Sequence, residues 1–188
     1  MERLKNLLRP AYYFARSVAH ALLAPLHVVH SWLAAQFGGE IFLLLGVHAV
    51  AGAVWVGGMF FVLLILRPAM RAEASRLDAA ALMALHRGVL RRFLPVVWVA
   101  MPVMLISGAR MIGTGYGKFA WAPWPVQAMA FIGVAMAVVF LAIWFGPYRR
   151  LRAAGDAAGA AAAIRAIGWL MALNLALGLL AMMFGGMD

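Results

Sequence analysis

The sequence predicts an all-α integral membrane protein, and two observations carry that prediction. Of the 188 residues, 66% are hydrophobic and only 12% are charged, whereas a soluble domain has about 45–50% apolar and about 25% charged residues. Long stretches also lack Asp, Glu, Lys and Arg, namely residues 41–66, 119–148 and 166–187. Each exceeds the roughly 20 residues that a helix needs to cross the hydrocarbon core of a bilayer. The lipid bilayer is therefore the first predicted partner.

A four-helix transmembrane bundle follows from the order of the apolar stretches. Its predicted spans are residues 41–66, 93–109, 119–148 and 166–187. The second is short, but Arg92 and Arg110 extend it because long basic side chains reach the interfaces. The third is predicted to begin at the prolines of residues 123–125, since proline is tolerated in a first helical turn. The polar residues 67–92 are predicted to be a loop with at most one amphipathic helix, and the alanine-rich residues 153–163 to extend the last span.

Residues 1–40 form a separate predicted domain, a basic segment with a His-rich helix, ahead of the four-helix domain of residues 41–188. Residues 17–39 either form a fifth span or lie along the membrane interface. The sixteen Lys and Arg residues favour the fifth span. Basic loops stay cytoplasmic. Five spans place fourteen of these residues inside and two outside, whereas four spans place ten inside and six outside. We expect a multi-pass protein of the bacterial inner membrane with cytoplasmic basic loops.

The net charge of +10 does not indicate a nucleic-acid partner. The basic residues lie at the ends of apolar stretches, where they contact lipid headgroups and set orientation. The chain has no cysteine, which excludes disulfides, thiolate metal sites and cysteine nucleophiles.

Histidines are the candidate ligands. His20, His27 and His30 share one helical face at 100° per residue. His48 lies inside an apolar stretch, where an ionisable group marks a functional site by default. If residues 38–40 form a turn, His30 and His48 reach the same depth of about 13 Å on adjacent helices. Two such imidazoles suit a metal or an axially bound haem iron, and His27 is one turn deeper than His30 and can replace it.

Gly52 and Trp55 follow His48 on the same helical face. Gly52 leaves a gap one turn below the imidazole, as a flat macrocycle requires, and both residues are candidate cofactor contacts. The alternative is that Gly52 and its small neighbours allow close helix packing and that His48 is a structural, hydrogen-bonded residue.

Other residues are weaker candidates. Ser107, Gln127 and Asn174 are predicted to form hydrogen bonds between helices, and His86 is assigned to the basic loop. The thirteen methionines admit copper as an alternative cofactor, because thioethers suit Cu(I), although methionine is also an ordinary packing residue. The basic residues at the predicted cytoplasmic ends either bind lipid phosphates or bind the carboxylates of a porphyrin; they are Arg67, Arg91, Arg92, Arg149 and Arg150.

Two motifs resemble a known family. HAVAGAVWVGG at residues 48–58, with LRPA at residues 66–69, resembles the first core helix of the CopD-type copper-resistance membrane domain. RRF at residues 91–93 and SG at residues 107–108 are similar to that family's next helix. The related HemJ-type protoporphyrinogen oxidases share the histidine, the tryptophan and the arginine. The resemblance covers about residues 42–183.

The resemblance implies that His48 is a haem ligand, with Trp55, Arg67 and Arg91 in its surroundings. Where HemJ-type proteins carry a lysine early in the third core helix, this chain has Gln127, which argues against porphyrinogen oxidation. His30 and His27 inherit nothing from the family.

The leading expectation is a haem b-binding inner-membrane protein that transfers electrons, with a quinone or a porphyrin as substrate and with His48 and His30 as iron ligands. The alternative is a CopD-type copper permease. A third possibility is a cofactor-free subunit or assembly factor, paired with another membrane subunit or with a second copy. No catalytic residue is assigned.

Overall fold

The computed structural model describes residues 39–73, 76 and 78–186. This part of the chain is helical, without strands, and contains four long helices. They are α1 (Gly39–Ala72), α2 (Ala79–Tyr116), α3 (Trp124–Ala153) and α4 (Ala157–Gly185). Each is long and apolar enough to cross a membrane, which confirms the four predicted core helices.

The chain divides into two units, Met1–Leu43 and Leu44–Asp188. Of the first unit, only the start of α1 is described, so the predicted His-rich helix lies outside the described residues. The second unit contains the rest of α1 and all of α2, α3 and α4.

The predicted loop at residues 67–92 is wrong in extent. Arg67–Ala72 continues α1, and α2 already begins at Ala79, after the extended backbone of Asp78. Residues 79–85 contain only Ala, Leu and Met, which are strong helix formers. Helix propensity therefore outweighs the charges that follow, and the true connection spans only a few residues.

The third helix begins at Trp124 with Pro125 in its first turn, which confirms the predicted start. The alanine-rich tract is less uniform than predicted. α3 ends at Ala153, and α4 begins at Ala157 after Asp156, whose Oδ1 accepts a hydrogen bond from the Gly159 amide at 2.7 Å. An N-cap of this kind starts a new helix, so the tract contains a turn.

The core of the second unit is packed from large apolar side chains. Trp55 and Phe140 are each 1% exposed and meet edge to face, with ring centroids 6.3 Å apart. The outer faces carry apolar side chains as well, including Val99, Phe131 and Trp169, which are 66%, 65% and 79% exposed. Such exposure is costly in water and is normal against lipid.

Candidate functional site

His48 of α1 is joined to Ser107 of α2. The distance from Nδ1 to the serine Oγ is 3.0 Å, between residues 59 positions apart. The Ser107 hydroxyl lies 2.7 Å from the Val103 carbonyl oxygen and 3.1 Å from that of Met104. A serine that bonds back to its own helix in this way is satisfied within the apolar segment, and it then presents its oxygen to the neighbouring helix.

This arrangement favours one tautomer of His48. A serine hydroxyl has one hydrogen, and the short contact assigns that hydrogen to the Val103 carbonyl. The Ser107 oxygen is then an acceptor, so His48 Nδ1 carries the proton and donates it. The lone pair of the neutral ring is then on Nε2, the nitrogen that does not contact Ser107. This is the state in which histidine binds metals, one nitrogen held by a hydrogen bond and the other available.

The imidazole lies against a glycine. A Cβ placed on Gly108 would be 3.1 Å from His48 Cε1, so the ring occupies the space that a side chain at residue 108 would need. His48 is half-buried and Ser107 is buried. The pair Ser107–Gly108 therefore supplies both the hydrogen-bond acceptor and the flat surface for the ring.

Met104 of α2 borders the gap predicted at Gly52. A Cβ at Gly52 would lie 3.8 Å from Met104 Cε and 3.9 Å from its Sδ. The thioether of Met104 thus lies beside Gly52, one turn from His48, on the same α1–α2 interface. A soft sulfur donor and an imidazole consequently face the same interface.

Trp55 is part of the packed core and does not line an open cavity. It is 1% exposed and packs against Phe140 of α3. Phe140 also contacts Trp98 of α2, whose ring centroid is 5.6 Å away. Trp55 therefore links the helix that carries His48 to the centre of the bundle.

Arg67 does not lie near His48. The two residues are nineteen positions apart on α1, roughly 28 Å along a helix axis. The Arg67 guanidinium instead lies directly on Gly168 of α4, in contact with the position that a Cβ there would occupy. One macrocycle bound at His48 does not reach Arg67.

Arg91 is likewise at the far end. It lines a cleft between α2 and α3, sixteen residues before Ser107 on the same helix, or about 24 Å. His86 lies in α2 rather than in a loop. Its Nδ1 is 2.9 Å from the Leu82 carbonyl oxygen, and its ring lines an apolar cleft together with Arg67.

The other polar predictions had mixed outcomes. Ser107 forms the predicted bond between helices. Gln127 instead donates to the Ala122 carbonyl oxygen at 2.8 Å, just before its own helix. Asn174 is 1% exposed, and its Oδ1 has no hydrogen-bond partner in the described part of the chain.

Residues 39–73, 76 and 78–186 contain no group of three or more His, Asp and Glu side chains placed to hold a metal ion. His20, His27 and His30 lie outside the described residues. Of the methionines, Met101 is buried in the core, and Met182 and Met183 are exposed.

No protein-family model matches this chain, and no curated protein or solved structure is significantly similar to it. The resemblance at residues 48–58 and 91–93 therefore stays a prediction.

Proposed function

We propose that this chain is a membrane protein that binds haem b and transfers electrons, with His48 Nε2 as the nitrogen that would hold the iron. One observation supports this above all: Ser107 holds the Nδ1 proton of a half-buried histidine within an apolar helix. A metal-bound histidine usually donates its other ring N–H to an oxygen acceptor, which fixes the tautomer and leaves Nε2 to bind the metal.

Haem iron would supply one-electron chemistry at this position. The chain's own residues orient the donor. Ser107 fixes the tautomer and the ring plane, Gly108 leaves room for the ring, and the apolar helices exclude water. His30, or His27 one turn away, is proposed as the second ligand. Because Arg67 and Arg91 lie at the other end of the bundle, they have no part in holding a macrocycle at His48.

The membrane role rests on the exposed apolar side chains of the four long helices. We place the protein in a bacterial inner membrane with its arginine-rich ends cytoplasmic, following the positive-inside rule. A quinone or a porphyrin is the proposed electron donor or acceptor, because both are soluble in the bilayer.

Copper handling is the second candidate, and a separate observation favours it. The Met104 thioether lies beside Gly52, one turn from His48, on the same interface. An imidazole and a thioether together suit Cu(I). In this case the chain would pass copper through the membrane without redox turnover.

The absorption spectrum and metal content of the purified protein distinguish the candidates. We expect a Soret band and haem iron in the unaltered chain, and loss of both in His48→Ala. His86→Ala is the matched control, because His86 also lies on an apolar helix but bonds to the Leu82 carbonyl; it should retain full haem.

Full haem content in His48→Ala would exclude His48 as a ligand. Bound copper without a Soret band, lost in both His48→Ala and Met104→Leu, would decide for copper handling. Neither haem nor copper in the unaltered protein would favour a cofactor-free subunit.

A further inference from the structure

A basic cleft lies between α2 and α3, at the end of the bundle away from His48. Its lining from α2 is Ala84, Arg87, Gly88 and Arg91, and its lining from α3 is Tyr148, Leu151 and Arg152. Within each set the residues recur at spacings of three and four positions, so each set lies on one face of its helix. The cleft is open to its surroundings, and its volume is about 540 Å³. It is separate from the proposed haem site.

The charges of the basic cleft are of one sign. Arg87, Arg91 and Arg152 place three guanidinium groups around it, and none of the lining residues carries a carboxylate. Arg87 is only weakly held, since its Nη2 donates to the Ala154 carbonyl oxygen at 3.4 Å. Its Nε is buried and has no hydrogen-bond partner in the described part of the chain. A buried charged donor without a partner is costly, and an anion in the cleft that Arg87 lines would offset the charge of its guanidinium.

Small residues keep the basic cleft open. Gly88 lies between Arg87 and Arg91, and a Cβ built on it meets no atom within 4 Å. Ala84, one turn earlier, also has a short side chain. The arginines can therefore converge on a ligand that enters between the helices, rather than pack against a bulky neighbour.

The ligand chemistry follows from the donors. Guanidinium groups bind phosphate oxygens through pairs of parallel hydrogen bonds. The cleft is also beside the apolar surfaces of α2 and α3, near the start of one helix and the end of the other. This is the depth at which phospholipid headgroups lie when apolar helices span a bilayer.

We propose that the basic cleft binds the phosphate of an anionic lipid headgroup, with Arg91 and Arg152 as the exposed ligands and Arg87 as the inner one. The bound phosphate fastens α2 to α3 at this end of the bundle. Free phosphate presents the same oxygens, so the experiment must compare the two sources.

The test is native mass spectrometry of the full chain, purified in a neutral detergent and titrated separately with phosphatidylglycerol, phosphatidylcholine and inorganic phosphate. The cleft variant is Arg91→Gln with Arg152→Gln. Its matched control is Arg92→Gln with Arg149→Gln, which removes the same charge from neighbouring exposed positions that do not line the cleft.

We expect phosphatidylglycerol to bind the unaltered chain more tightly than phosphatidylcholine. The cleft variant should lose about 25-fold in affinity, at about fivefold for each arginine near an anionic headgroup. The control should stay within about twofold of the unaltered chain, because its arginines face elsewhere.

Gly88→Leu tests the cleft without changing any charge. The new side chain has room in the fold but fills the space between the arginines, so phosphatidylglycerol affinity should fall by about tenfold or more. This variant also excludes the explanation that net charge alone attracts the lipid.

Equal losses in the cleft variant and its control would overturn the proposal, as would unchanged binding in Gly88→Leu. Equal affinity for phosphatidylcholine, or no binding of any probe, would overturn it too. Inorganic phosphate that binds with the same dependence on Arg91 and Arg152 would support the phosphate site and assign a soluble ligand; lipid binding without phosphate binding would assign the headgroup.

Discussion

At the scale of single residues, the hydrogen bond between His48 and Ser107 fixes the chemistry of the candidate site. Hydrogen bonds between membrane helices contribute less than their surroundings suggest, on average about 0.6 kcal/mol and at most about 1.7 kcal/mol. The value of this bond lies more in the orientation it imposes than in stability. It holds one tautomer of a ring that otherwise has two.

A double-mutant cycle measures this coupling. Ser107→Ala, His48→Ala and the double variant should give a coupling energy of about 0.6–1.7 kcal/mol in the free energy of unfolding in mixed micelles. The same cycle between Ser107→Ala and His86→Ala should give no coupling, because His86 bonds to Leu82. A coupling near zero in the first cycle would show that the bond does not form in the folded protein.

If haem is bound, Ser107→Ala should also weaken its retention by about 10–100-fold, the usual effect of removing the partner of a metal-bound histidine. Haem loss during dilution of the purified protein measures this. Ser107→Thr retains a hydroxyl and is the conservative control, which should hold haem better than Ser107→Ala. Equal retention in all three proteins would show that Ser107 does not support the ligand.

The sequence identified His48 but not its partner. An ionisable residue in an apolar stretch is visible without a structure, whereas nothing local pairs it with a serine 59 positions away. The alignment of α1 against α2 decides that contact, and it depends on side-chain packing along the helices. Arg67 has a different explanation: guanidinium chemistry and the family resemblance made it a candidate, but it lies nineteen residues from His48 on the same helix, α1.

At the scale of the helices, close packing depends on particular glycines. α1 and α2 pack closely at Gly58, because a Cβ there would collide with the ring of Phe93. At the neighbouring Gly57, a Cβ would meet no atom within 4 Å. Comparing substitutions at Gly57 and Gly58 therefore distinguishes the effect of glycine on helix packing from its effect on helix propensity.

Gly58→Ala should therefore destabilise the protein by about 1–3 kcal/mol, since the ring of Phe93 is stiff and must be displaced. Gly57→Ala should be neutral or slightly stabilising, because alanine is the better helix former. Unfolding of both variants in mixed micelles compares them directly. A loss in Gly57→Ala as large as that in Gly58→Ala would assign the effect to the backbone instead of the α1–α2 contact.

The start of α4 depends on Asp156, whose Oδ1 accepts from the Gly159 amide. Asp156→Ala removes this cap and should cost about 1 kcal/mol of unfolding free energy. Asp156→Asn keeps an acceptor oxygen and should lose much less. Indistinguishable stabilities for Asp156→Ala and the unaltered chain would mean that the turn at residues 154–156 forms without the cap.

Helix ends were harder to predict than helix existence. The long apolar stretches made four helices certain, because a bilayer leaves few alternatives for an apolar chain. The predicted start of α2 is wrong because the prediction used polarity alone, and charged side chains at the end of a helix give the same polarity as a loop. Pro125 gave a correct boundary for α3, since its ring restricts where a helix can begin.

At the scale of the whole molecule, the two ends of the bundle differ in chemistry. Ten of the twelve Lys and Arg residues after residue 66 lie between residues 67 and 92 or between residues 149 and 165. The opposite end, where α2 leads into α3, carries exposed aromatic residues. Trp121 and Trp124 are 68% and 63% exposed, and Lys118 Nζ lies 5.0 Å from the Trp121 ring centroid. Tryptophan prefers membrane interfaces, and basic residues prefer the cytoplasmic one.

This asymmetry predicts the orientation, and the absence of cysteine from the chain allows a direct measurement. Gly155→Cys lies in the turn between α3 and α4, and Gly115→Cys lies in the last turn of α2. Both positions are exposed, and a Cβ meets no atom within 4 Å at either.

In bacterial cells with a permeabilised outer membrane, a membrane-impermeant maleimide should label Gly115→Cys. It should label Gly155→Cys only after the inner membrane is disrupted, because the positive-inside rule predicts a cytoplasmic position for the arginines beside it. The reverse pattern would invert the orientation. Labelling of both positions before the inner membrane is disrupted would mean that α3 does not cross the membrane between them.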